Sequence, residues 1–252
     1  MPPSLAERVA AIDSWYHVIR FDGGLRTPGA FDMQRYLEHY PFPASLEGRR
    51  VLDVGASNGF FSAEFVRRGA DEVVAIDLPG WESHDWSPRQ RRVLEARAAQ
   101  EREHVDRVIF GAALGLVIEE LGQGRIRPEA RAIYDLRPED LGTFDLVFCG
   151  SMLMHVRDPL LGLHAIRSVT ADDGELIVST STIAEDDPRP MAAFVGEWDQ
   201  SNFWQLNPAC LRRMLTTADF EVDESTVLYD QRAEIADFTD RICVLHARPR
   251  RA

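Results

Sequence analysis

One stretch constrains this chain more than any other. Residues 49–59 read Arg-Arg-Val-Leu-Asp-Val-Gly-Ala-Ser-Asn-Gly. Val51, Leu52 and Val54 form a short apolar run suited to a strand buried on both faces. Residues 55–59 make a tight turn, and residues 60–69 have helical spacing. Strand, glycine turn and helix together open a nucleotide-binding α/β domain. Gly55 and Gly59 carry no Cβ and allow backbone to approach a ligand closely. Asp53 stands at the end of the strand, beside the turn.

A second apolar run, Val73 to Ile76, ends in the carboxylate of Asp77, 18 residues after Gly59. In a doubly wound sheet an acid at this place reaches both hydroxyls of a ribose. That spacing alone also fits a dinucleotide enzyme. The turn, however, is Gly-x-x-x-Gly and not Gly-x-Gly-x-x-Gly. It offers a pyrophosphate few backbone N–H groups, and Asp53 at its base disfavours a diphosphate.

Residues 53–59 resemble motif I of class I S-adenosylmethionine (SAM) methyltransferases, and Asp77 resembles the acid of their motif II. The family's middle glycine is Ser57 here. The resemblance implies SAM as cofactor and S-adenosylhomocysteine (SAH) as product. It places Gly55, Ala56, Ser57, Asn58 and Gly59 around the amino-acid portion and Asp53 near its ammonium group. Asp77, followed by Leu78, takes the ribose. Tyr134, Asp135 and Leu136 form the loop that lies against the adenine in that family. Gly150 ends the strand beside the methionine portion.

Composition sets the outer bounds. A chain of 252 residues, 45% hydrophobic and 27% charged, can bury one sizeable core. It holds no apolar run long enough for a membrane span and no signal-peptide pattern at its start. Cys149, Cys210 and Cys243 lack metal-ligand spacing, so no metal is expected. The odd, low count fits reduced thiols in a cytoplasmic protein. The net charge of −13 repels phosphate backbones and makes nucleic acid an unlikely partner. All 28 basic residues are arginine, so no lysine can act as base or Schiff-base former.

Residues 1–45 are expected to form an N-terminal helical cap. Leu5, Val9, Ile12, Tyr16 and Ile19 have helical spacing, and Ser4 with Glu7 matches a capping box. A second helix is expected over residues 31–40. Trp15, Tyr16 and His17 form an aromatic, titratable cluster, read either as packing or as a lid that contacts the acceptor. This cluster, followed by Asp-Gly-Gly and Thr-Pro-Gly, is similar to the start of bacterial methyltransferases related to the tRNA wobble-uridine carboxymethyltransferases. Trp81 and Trp86 read either as flanks of the adenine or as a cover for the sheet edge. A third strand is expected over residues 130–136.

The catalytic domain is expected over residues 46–252, with a lid insertion around 184–206. Within the insertion Trp198 and Trp204 read either as acceptor contacts or as packing. The fold class expected is α/β: a Rossmann-like doubly wound seven-stranded sheet, its last strand antiparallel.

Residues 151–159 resemble the family's Leu-Tyr-His-x-x-x-Pro element, with Met154 in place of the tyrosine. In the carboxymethyltransferases that tyrosine helps hold the extra carboxylate of carboxy-SAM. A thioether makes no useful hydrogen bond to a carboxylate, so ordinary SAM and methyl transfer are favoured. His155 is the first candidate for a general base and His17 the second, since imidazole titrates near neutrality. Trp15, Tyr16, His17, Met154 and His155 are the remaining candidates for contact with the acceptor. The function expected is methyl transfer to a small-molecule acceptor of secondary metabolism. Two alternatives stay open, a tRNA wobble-uridine methyl- or carboxymethyltransferase and a non-catalytic SAM-binding protein. The acceptor atom and the oligomeric state are not legible.

Overall fold

A computed structural model describes residues 2–12, 14–78, 83–96, 111–196 and 202–251. Its centre is an eight-stranded sheet in the order β3-β2-β1-β4-β5-β10-β8, with β9 also paired to β10. Strands β1 (Arg50–Val54), β2 (Glu72–Asp77), β3 (Ile126–Ala130), β4 (Phe144–Gly150) and β5 (Thr170–Ser181) run parallel. β10 (Thr239–Pro249) enters antiparallel beside β5. β8 (Phe220–Val222) and β9 (Val227–Arg232) lie end to end along the outer edge of β10. The sheet thus has the seven positions expected, the outermost holding two short strands.

Alternation along the strands explains the layers. Val51, Leu146, Phe148, Ile177 and Val244 point to one face; Leu52, Val147, Cys149, Val178 and Leu245 point to the other. The first face is covered by α2 (Phe60–Arg67), α4 (Ala112–Leu121) and the N-terminal segment. The second is covered by α5 (Pro138–Leu141), α6 (Pro159–Val169) and α7 (Pro208–Thr217). Both faces are buried, as near-continuous apolar strands require. Each fully buried Leu, Val or Phe contributes roughly 1.5–3 kcal/mol of transfer free energy.

Local signals are kept where caps decide them. The Ser4–Glu7 capping box opens α1 (Leu5–Ala10). Asn207 Oδ1 accepts the Cys210 N–H at 2.8 Å, with Pro208 at the first helical position of α7.

The N-terminal segment differs from the expected helical cap. α1 ends at Ala10, and the aromatic and β-branched run that follows is extended. Val18 N–H donates to Phe31 O at 2.8 Å, and Thr27 Oγ1 accepts the Ile19 N–H at 2.8 Å. These strand-like bonds outweigh the helical spacing. In place of the second helix stand two single 3₁₀ turns, Met33–Arg35 and Leu37–His39. Asp32, just before them, commits its carboxylate to Arg20 and caps nothing.

β3 also lies earlier than expected. It ends at Ala130, and Ile133–Asp135 is a 3₁₀ turn. Pro128 is tolerated because β3 is an edge strand. In the insertion, β6 (Ala192–Phe194) pairs with β7 (Trp204–Leu206) as a separate two-stranded hairpin. α3 (Pro88–Ala96) follows β2.

Chain direction sets the position of the site. From β1 the chain winds outward through β2 and β3, then returns to place β4 on the opposite side of β1. The carboxyl ends of β1 and β4 therefore bound a topological switch point, where open α/β sheets bind ligands.

Candidate functional site

The turn after β1 takes left-handed backbone at Gly55 (φ 80°), Ser57 (φ 51°) and Gly59 (φ 82°). The N–H groups of Gly55 and Ala56 donate to the carbonyl of Ile76 at 2.9 and 3.0 Å, pinning the turn to the end of β2. A Cβ on Gly55 would stand 2.3 Å from Met152 Cγ, so only glycine fits. Gly59 serves helix packing instead. A Cβ there would meet Leu114 at 2.8 Å, so its absence lets α2 and α4 pack.

Ser57 holds the left-handed conformation without being glycine, which costs about 1–2 kcal/mol. Its backbone N–H donates to Asp77 Oδ2 at 2.8 Å. The other carboxylate oxygen, Oδ1, accepts the Leu78 N–H at 2.8 Å. Burial pushes Asp77 up to about 6, while these two donors pull it down.

Asp53 lies behind the turn at 1% exposure, where Ser62 Oγ donates to it at 2.6 Å. Burial first, then the charge of Asp77, push it up to about 7, against the pull of Ser62.

A cavity of about 340 Å³ opens at this sheet edge. One part is walled by Gly55, Asp77, Leu78, Ile133, Tyr134 and Met152. The other is walled by Tyr16, His17, Tyr40, Phe61, Phe148 and Gln231. Ser57, Gly150, Ser151 and His155 also line it. The size is that of a small-molecule site, apolar with a few placed polar groups.

His17 is clamped by Asn58. Asn58 Oδ1 accepts both the backbone N–H of His17 at 3.3 Å and its Nδ1–H at 3.0 Å. Asn58 Nδ2 donates to the His17 carbonyl at 3.2 Å. The backbone donor and acceptor fix the amide orientation, and the amide fixes the imidazole tautomer. Nδ1 carries the proton, and Nε2 keeps its lone pair. Burial lowers His17 to about 4, so it is neutral at pH 7.

His155 occupies the 3₁₀ turn Leu153–His155 after β4. Three residues per turn place Met152 and His155 on one face, and both line the cavity. Leu153 and Met154 fall on the buried side.

Asp85 ties three segments together at the cavity wall. Its carboxylate accepts Tyr134 Oη–H at 2.7 Å, the Arg157 backbone N–H at 2.9 Å and the Arg157 guanidinium at 2.8 Å. Tyr134 Oη in turn accepts the Asp158 N–H at 3.0 Å.

Of the residues expected at the site, Tyr16, His17, Gly55, Ser57, Asp77, Leu78, Tyr134, Gly150 and His155 line the cavity. The others stand off it. Trp15 is buried in the core, with Nε1–H donating to Val9 O at 3.4 Å. Ala56 and Leu136 are core residues, and Asn58 buttresses His17. The Asp135 N–H donates to the Ala132 carbonyl, and the Asp135 carbonyl accepts from the Arg131 guanidinium. Met154 is buried and its carbonyl accepts the Phe203 N–H. Trp204 packs on Phe194 and donates to Arg157 O at 3.2 Å. Trp86 packs on His84. Trp81 and Trp198 lie outside the described residues.

Sequence reasoning missed Asp85, Tyr40, Gln231 and Met152. Only Met152 left a signal, its spacing of three from His155. The other three are brought to the cavity by tertiary packing.

Comparison with known proteins adds independent findings. The family described as methyltransferase domain matches residues 32–225. A ubiquinone biosynthesis O-methyltransferase of Xanthomonas campestris pv. campestris is 31% identical over 223 residues, spanning 81% of this chain and 77% of that protein. A tRNA U34 carboxymethyltransferase of Pseudomonas putida is 27% identical over 208 residues, spanning 77% of this chain and 56% of that protein. Among solved structures, the N-terminal domain of EvdMO1 with SAH bound superposes with a TM-score of 0.60 at 18% identity, covering 98% of this chain and 96% of that one.

Proposed function

This chain belongs to the methyltransferase-domain family and is a SAM-dependent methyltransferase, and we propose that it methylates a hydroxyl group on a small aromatic acceptor. The observation that carries the reading is the second part of the cavity. There the rings of Tyr16 and Phe61 pack on a neutral imidazole, that of His17, and Tyr40 and Phe148 pack in turn on Phe61.

The residues present fit the cofactor. The only carboxylates among the described cavity-lining residues are Asp77 and Asp85, and Asp85 is committed to Tyr134 and Arg157. Asp77, at the carboxyl end of β2, is placed to bind the ribose diol. The apolar side chains of Leu78 and Ile133 form a slot for a base. Gly55, whose missing Cβ leaves room for the Met152 side chain, lines the cavity where the amino-acid portion would lie. When bound, SAM supplies an electrophilic methyl group on a sulfonium.

The rest falls to the side chains of this protein. His17 is neutral, and its Nε2 lone pair accepts the acceptor hydroxyl and orients it. As the methyl–oxygen bond forms, the hydroxyl proton passes along that hydrogen bond to His17 Nε2, and His155, on the same cavity, receives it from there. The N-terminal segment, which brings Tyr16 and His17 to the cavity, acts as the lid that excludes water. The aromatic wall holds the acceptor plane and supplies proximity, which for a reactive donor carries much of the rate. Acceptors of this kind are common among aromatic secondary metabolites.

The test is turnover with a panel of phenols and matched anilines. Methylation of phenols that is lost in His155→Ala, with SAH affinity retained, supports the reading. Methylation of anilines alone, or unchanged phenol turnover in His155→Ala, overturns the assigned chemistry.

A further inference from the structure

The polar end of the acceptor cavity is built from Tyr40 and from Tyr229 and Gln231, two residues apart on β9. Tyr40 Oη and Tyr229 Oη are 2.7 Å apart, and Tyr229 Oη–H donates to Gln231 Oε1 at 3.2 Å. Tyr229 has one hydroxyl proton and gives it to Gln231, so Tyr40 donates to Tyr229. The chain of donors runs from Tyr40 through Tyr229 to the amide oxygen of Gln231. It is locked by packing: Tyr229 is stacked on both Tyr36 and His39, at 5.2 and 4.5 Å between ring centroids.

The arrangement uses the Gln231 oxygen and leaves its nitrogen. Gln231 is 8% exposed and lines the cavity. Among the described residues no group accepts its Nε2 hydrogens. Unlike Ser179 Oγ and Thr180 Oγ1, which are sealed off without partners, the Gln231 nitrogen is accessible, and its N–H groups are available to a ligand in the cavity. Phe61 also packs on His17, whose Nε2 keeps its lone pair. The His17 and Tyr40 rings lie 5.8 and 5.6 Å from the Phe61 ring.

We infer that Gln231 is a specificity-determining residue whose amide N–H donates to an oxygen of the acceptor, so that the preferred acceptor is a ring bearing both a hydroxyl and a carbonyl-type oxygen. This rests on the reading of a small hydroxyaromatic acceptor and narrows it. The hydroxyl, a donor, goes to His17 Nε2; the carbonyl, an acceptor, goes to Gln231. A ring with the hydroxyl alone leaves the amide unpaired, and a site built to pair a polar group rejects the analogue that lacks it. The Tyr229 hydroxyl holds the amide by its oxygen. Tyr229 is therefore a positioning residue.

The test uses the protein saturated with SAH. Calorimetry measures the binding of hydroxyacetophenones and of the matching ethylphenols, which have similar size and no carbonyl. The wild type is expected to prefer the hydroxyacetophenones by about tenfold or more. Gln231→Met keeps the volume but has no donor, and Gln231→Glu at pH 8 keeps an acceptor for Tyr229 but presents a carboxylate. Both are expected to lose the preference while SAH affinity, the check on folding, is unchanged. Equal binding of the two series by the wild type, or a preference surviving in both variants, overturns the inference and leaves the hydroxyaromatic reading intact. Failure of both series to bind the wild-type SAH complex overturns that reading and the inference with it.

Discussion

Asn58 Oδ1 sits 3.0 Å from Nδ1 of His17 and 3.3 Å from the backbone nitrogen of the same residue. A residue of the glycine turn thus sets the tautomer of a residue of the N-terminal segment. The turn proposed to face the cofactor and the imidazole proposed to face the acceptor are one hydrogen-bonded unit.

Asn58→Ala is expected to lower kcat on the order of tenfold, since the imidazole loses its fixed orientation. SAH affinity, measured by calorimetry, should stay within a few-fold of wild type. Asn58→Asp should raise the pKa of His17, because a carboxylate favours the imidazolium. NMR titration of the His17 ring reads this directly; a pKa still near the wild-type value of about 4 contradicts the clamp.

Asp77→Ala should weaken SAH binding by at least about tenfold, the loss of a charged hydrogen-bonding partner. The pH dependence follows from the raised pKa of about 6. A ribose diol donates to the ionised carboxylate, so affinity should fall as pH drops through that value, by about tenfold between pH 7 and pH 5. Asp77→Asn should remove that step, leaving only what Asp53, raised to about 7, contributes. An unaltered pH profile in Asp77→Asn would sink the ribose assignment.

Asp85→Asn should loosen the join between the Tyr134 turn and the Arg157 loop, which its carboxylate bridges. The expected result is a rise in KM for SAM of about three- to tenfold with a smaller change in kcat. A change confined to thermal stability would show that the bridge serves the fold alone.

His246, far from the cavity, is held between two carboxylates. Asp223 Oδ2 lies 2.6 Å from Nδ1 and Glu175 Oε2 lies 2.8 Å from Nε2. Glu175 first and then Asp223 raise its pKa, against the effect of burial. A histidine whose folded pKa is raised stabilises fully below its unfolded value of about 6.5, and that stability is lost as pH rises through the folded value. Tm should therefore fall on the alkaline side of neutrality. His246→Gln should lower Tm at pH 6 and flatten this slope; a slope that persists unchanged assigns it elsewhere.

The strand, turn and acid of residues 51–77 are legible because each part depends on local chemistry: a buried apolar run, glycine at positive φ, a carboxylate at a strand end. The sheet order follows from the same logic. The N-terminal segment is not legible, because Ile12, Tyr16 and Ile19 have helical spacing while the extended backbone around Tyr16 and Ile19 is set by Thr27 and Phe31. The resemblance points to Met154 where the cavity takes Met152. A 3₁₀ turn repeats every three residues, and a matched motif does not show which side of it faces the cavity. Tyr40 and Gln231 have no local signature at all. They meet only because β9 runs along the edge of β10 and the Leu37–His39 turn packs against it.

The central claim is methyl transfer to the oxygen of a small molecule. The most direct measurement supplies methyl-labelled SAM to the purified protein with hydroxyacetophenones in one reaction and unfractionated tRNA in another, and locates the label by mass spectrometry. The account predicts label on the phenolic oxygen and none in the RNA. Label in the tRNA, with none on any phenol, would contradict it.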